Sequence, residues 1–219
     1  MVRTVFFLVV TFGFVIGLFG IYNWKHLSRP FKWLVIFLIF TSLSQYFATL
    51  LRILIGQNVI WYKVAILVEH TLKFLIFVAL MKTSLMKRAT RVLFVLSFAL
   101  ILYLMIPEFM VIKFSTYPLV VEYLTVCIYA CLYLFEMMKS SSIEAPHQDE
   151  TFWLAFAMFF YQLTSIAYFA IKDPMWNRDL YVASLEYINY ALMTIYYVIL
   201  LVSLKMHIYK TAIRGTGTT

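Results

Sequence analysis

The sequence predicts an all-α integral membrane protein, a bundle of seven transmembrane helices, and three observations carry that expectation. Of 219 residues, 64% are hydrophobic and only 13% are charged, about half the charge that keeps a soluble domain solvated. The apolar residues fall into seven runs, six of which reach the roughly 20 residues that cross a bilayer core. The 18 lysines and arginines sit mostly in the short gaps between runs, where headgroups and the positive-inside rule account for them. A net charge of +8 therefore speaks for a lipid surface, and nucleic acid is set aside as a partner.

The first run, 4–24, opens behind Met1-Val2-Arg3 and ends at Asn23-Trp24-Lys25 with no Ala-x-Ala cleavage pattern. It reads as a retained helix and not as a signal peptide. Gly13, Gly17 and Gly20, half of the six glycines, share one of its faces. Such spacing lets two helix backbones approach closely, inside the bundle or across a homodimer or partner contact.

The second run, 33–54, carries Gln45 and Arg52; the third, 60–81, is the most charged, with Lys63, Glu69, His70 and Lys73. The fourth, 92–107, is short before Pro107, and its chain is expected to continue through Phe109–Phe114 along the outer surface. The fifth, 118–138, holds Glu122 and both cysteines, Cys127 and Cys131. Consecutive turns of one helix hold thiols poorly for a disulfide, so these are small polarizable packing residues. The sixth run, 151–171, contains Gln162, and the seventh, 182–205, contains Glu186 and Asn189. Trp24, Trp33, Trp61, Trp153 and Trp176 fall at run ends, the headgroup level that indoles prefer.

Charge counting gives the direction. Lys25, Arg29, Lys32, Lys82, Lys87, Arg88, Arg91, Lys139, Lys205, Lys210 and Arg214 lie on one side, eleven against Arg3, Lys113, Lys172 and Arg178 on the other. The N-terminus is therefore expected outside and the C-terminus in the cytoplasm. An internal repeat at an offset of 117 matches Gln45 and Glu69 to Gln162 and Glu186. It would relate spans 1–3 to spans 5–7 as a parallel 3+1+3 arrangement. Residues 1–206 make one transmembrane domain, and 207–219 a short cytoplasmic tail.

Ionisable groups inside hydrocarbon need a partner or water. With this orientation, Arg52, Lys63, Glu122 and Glu186 fall in the outer third, and Glu69 and His70 lie somewhat deeper. One bundle could gather them, floored by Gln45, Gln162 and Asn189 and lined by Tyr46, Tyr161, Tyr187 and Tyr190, into an outward-facing polar pocket. The alternative is that they are satisfied links between helices. Four histidines and no His-Glu-x-x-His, phosphate-cradling loop or Gly-x-Ser-x-Gly leave no metal, cofactor or catalytic reading. The last run has no lysine before Lys205 for a retinal Schiff base.

Phe152-Trp153-x7-Tyr161 opening span 6, Asn189 in span 7 and Glu69 early in span 3 together resemble a group of uncharacterised bacterial seven-helix membrane proteins. These are similar to the membrane sensor modules associated with histidine kinases. The resemblance implies a bacterial inner-membrane location and a non-catalytic role as sensor or accessory subunit, with another membrane or signalling protein as partner. A purely structural subunit and a small-solute or proton-coupled transporter are the competing expectations.

Overall fold

Within a bilayer every backbone N–H and C=O must find its partner inside the protein, which restricts an apolar chain of this kind to helices. The computed structural model describes residues 2–111, 115–139, 146–176 and 183–216. Seven long helices run through them: α1 (Val2–Tyr22), α2 (Arg29–Ile55), α3 (Val59–Leu80), α4 (Ser84–Val111), α5 (Tyr117–Lys139), α6 (Glu150–Trp176) and α7 (Ala183–Thr216). Six are long and apolar enough to cross a membrane, and the protein is a multi-pass membrane protein. The seventh, α3, carries Lys63, Glu69 and Lys73 within its 22 residues.

The helices extend past the apolar runs. α4 starts at Ser84, well ahead of residue 92, and takes in Lys87, Arg88 and Arg91. Beyond its run, α4 passes through Pro107 to Val111. α7 continues beyond 205 to Thr216. Lys113, Phe114, Arg178 and most of the loop between α5 and α6 (140–145) lie outside the described residues. α2 stops at Gly56, whose φ of 79° is a left-handed conformation that glycine adopts without steric cost.

The packing order is not the chain order. α1, α2, α3, α5, α6 and α7 form a ring in which α7 returns to α1, while α4 packs outside it against α3 and α5. The ring interior is filled by Phe31, Leu34, Leu38, Ile76, Phe77, Tyr129, Leu154 and Leu200. Side chains such as Leu8, Ile53, Leu54 and Val95 remain exposed on the outside, which fits contact with lipid.

All three predicted glycines are buried within this ring. A β-carbon on Gly13 would lie 2.7 Å from the Tyr197 ring, one on Gly17 2.6 Å from Ile39, and one on Gly20 2.2 Å from Val35. This face packs against α2 and α7.

Long-range polar bonds tie the helices together at the end that carries the excess of lysine and arginine. Ser28, just before α2, donates its backbone N–H to His207 Nε2 at 3.0 Å. That fixes the proton on Nδ1, which donates to Glu150 Oε1 at 3.2 Å, and the ring stacks on Phe31 at 4.1 Å. Lys210 donates to the other Glu150 oxygen at 2.6 Å. One histidine thus joins α2, α6 and α7. His207→Ala is expected to destabilise the protein by about 2 kcal/mol, read as a lower midpoint of thermal unfolding in detergent.

Candidate functional site

Charged side chains deep in the bundle are the exception that calls for an account, and they meet where α3 faces α5. Lys73 lies on the buried face of α3 with Ile76 and Phe77, so its side chain enters the ring. Side chains on a helix tilt toward its N-terminus, here toward the end of α3 away from the basic connections. That tilt, with the length of the lysine stem, carries the ammonium to Glu122, in the second turn of α5.

Lys73 Nζ lies 2.6 Å from Glu122 Oε1 and 3.9 Å from Glu69 Oε2 on its own helix, one turn back. It also sits 5.5 Å from the centre of the Phe37 ring and 5.6 Å from that of Tyr123. Both Lys73 and Glu122 are buried. Two carboxylates here share one ammonium. With all three groups ionised the centre carries one unit of negative charge, and an uncompensated charge is expensive at this depth. Glu69, whose side chain keeps 18% exposure, can be compensated by water, by a proton or by a small cation. Glu122 Oε2 is buried and has no hydrogen-bond partner, so an acceptor is open for any of the three.

The structure distributes the predicted site residues over several places. Glu69 and Glu122 share the charge centre. His70, on the neighbouring face of α3, turns to α4, with Nε2 2.8 Å from Ser97 Oγ and its ring stacked over Phe94 at 5.4 Å. Gln45 is half-buried on α2 and accepts a long hydrogen bond from the Tyr62 hydroxyl at 3.4 Å. Arg52 is exposed near the end of α2, and among the described residues it forms no ion pair with Glu69, Glu122 or Glu186. Glu186 pairs instead with Lys172 of α6 at 2.8 Å. Gln162 is fully buried on α6, with neither amide atom hydrogen-bonded. Asn189 is half-buried on α7.

The expected tyrosine lining is also divided. Tyr46 bonds Thr11 of α1 at 2.6 Å, Tyr161 stacks on Tyr196 at 4.5 Å, Tyr190 packs against Phe6, and Tyr187 is exposed.

Spacing alone suggests Glu69, one turn away, as the partner of Lys73, yet Glu122 is the closer one. The signal was present: Glu122 and Glu136 are fourteen residues apart on α5, four turns along one face, and that face is buried. Glu150 and His207 gave no such signal, because 57 residues separate them, one at the start of α6 and the other near the end of α7. Among the described residues no three His, Cys, Asp or Glu side chains converge as metal ligands.

No protein-family model, curated protein or solved structure matches this chain.

Proposed function

We propose that the chain is a non-catalytic membrane module, a sensor or accessory subunit, whose buried Lys73–Glu122–Glu69 centre couples the bundle interior to a partner protein. The observation that carries this reading is the surplus carboxylate. A centre with two carboxylates and one ammonium changes its internal bonding whenever a proton or cation arrives or leaves. The centre joins α3 to α5, so a change there acts on how those two helices pack.

The neighbour pattern supports the 3+1+3 organisation. Exchanging α1, α2 and α3 for α5, α6 and α7 maps the ring onto itself, with α3–α5 becoming α7–α1. On that reading α4 is the connector, one seam between halves is held by the ion pair, and the other by Gly13 against Tyr197. The charge asymmetry supports an outer N-terminus and a cytoplasmic C-terminus. Enclosure of α3 by α2, α4 and α5 supports its being a seventh span, since neighbouring helices shield its three charges from lipid. The bacterial inner membrane remains the proposed location, on the resemblance alone.

Transport is the second reading, and the packing favours it less. Between the charge centre and the basic end the ring is filled by Leu34, Phe77, Tyr133, Leu200 and Leu204. The carboxylates of Glu136 and Glu150 near that end are already engaged in bonds between elements.

Affinity purification of the intact protein from its native membranes, beside Glu69→Gln and Glu122→Gln, tests the proposal. The expected result is a stoichiometric partner whose recovery changes severalfold in either variant while the helical fold is retained. Equal recovery of the same partner from all three, or no partner at all, would remove the coupling role from this centre.

A further inference from the structure

Between the basic ends of α4 and α5 the surface opens into a cavity of about 400 Å³, walled by Leu85, Met86, Tyr133 and Met137 and bordered by Lys82 and Lys139. Both lysines are exposed. The cavity continues along the two helices as an apolar groove past Leu85, Leu93, Ile128 and Leu132, with Arg88 on its edge.

Positive charge predominates at this corner. Lys82, Lys87, Arg88, Arg91 and Lys139 all belong to the α3–α4 connection, the first turns of α4 or the last turn of α5. Glu136 also lines the cavity, yet its two oxygens accept the backbone N–H groups of Lys82 and Thr83 at 2.9 and 2.6 Å. Those two bonds partly offset its charge, and Lys82 and Lys139 outnumber it at the cavity. The Tyr133 hydroxyl is likewise occupied, by Thr151 at 2.5 Å. What remains for an occupant is an apolar slot with ammonium groups at its headgroup-level end.

We propose that this cavity and groove bind one anionic phospholipid, with its phosphate at Lys82 and Lys139 and an acyl chain laid between α4 and α5. Charge complementarity selects the headgroup, since basic pockets between helices at a membrane face attract anionic lipid. The groove selects a chain-bearing molecule over a free anion, because it offers hydrocarbon contacts that phosphate alone does not use.

Native mass spectrometry of the intact protein in detergent, titrated with phosphatidylglycerol and with phosphatidylcholine of the same acyl chains, tests this. The proposal expects preferential retention of one phosphatidylglycerol. Its affinity should fall about fivefold for each lysine lost, and roughly thirtyfold in Lys82→Gln/Lys139→Gln. Lys82→Arg/Lys139→Arg, which keeps the charge, should retain binding. Equal retention of the two lipids, unchanged binding in the glutamine variant, or inorganic phosphate binding as tightly as the lipid would each overturn it. So would a second protein chain occupying the groove in place of lipid.

Discussion

Lys73→Met is expected to cost about 3–5 kcal/mol of stability, the loss that follows when one partner of a buried ion pair is removed and the other stays. Glu122 would then sit in the ring interior without its counter-charge, and Glu69 would lose the ammonium one turn away. Reversible unfolding in mixed detergent–lipid micelles measures the effect. Lys73→Met/Glu122→Gln removes the charge on both sides and should recover at least half of the loss. A single variant as stable as the parent would show that the pair contributes nothing to the fold. A double variant no better than the single would mean that lost packing is responsible, and not the unpaired charge.

Gly20→Ala is expected to cost about 1–3 kcal/mol, the range for adding atoms to a packed interior. The new methyl would lie 2.2 Å from a Val35 methyl, so α1 and α2 must separate or Val35 must move. Val35→Ala in the same chain opens that space and should restore part of the loss. The oligomeric state, measured by light scattering, should stay unchanged throughout, because the glycine face is buried within one chain. A shift in oligomeric state with stability intact would assign the face to an intermolecular contact instead.

Much of the fold was legible because a bilayer leaves so few solutions. Long apolar runs, tryptophans at their ends and lysines in the gaps follow from hydrocarbon thickness and the cost of charge, and the helices lie where those features lie. The ends were less legible. Ser84–Arg91 and Lys205–Arg214 are helical but too polar for a hydropathy criterion, since a helix at headgroup depth is limited by its backbone and not by lipid. The site was legible in its residue types and only partly in its partners. Glu69 with Lys73 is a local pair, readable from spacing. Glu122 with Lys73, His70 with Ser97 and Glu186 with Lys172 depend on which helices are neighbours. The displacement of α4 from the ring, which brings α3 against α5, is written in no local pattern. Arg52 shows the converse: a charge inside an apolar run that reaches the surface near a helix end.

α7 is 34 residues long, roughly 51 Å at the rise of an α-helix, against about 30 Å of hydrocarbon. Its last turns therefore run on past the length that hydrocarbon requires, fastened to the start of α6 through His207 and Lys210 and continuous with the stretch that places Tyr196 and Tyr197 in the ring. Movement at that end is therefore shared between the Glu150 anchor and the tyrosine layer.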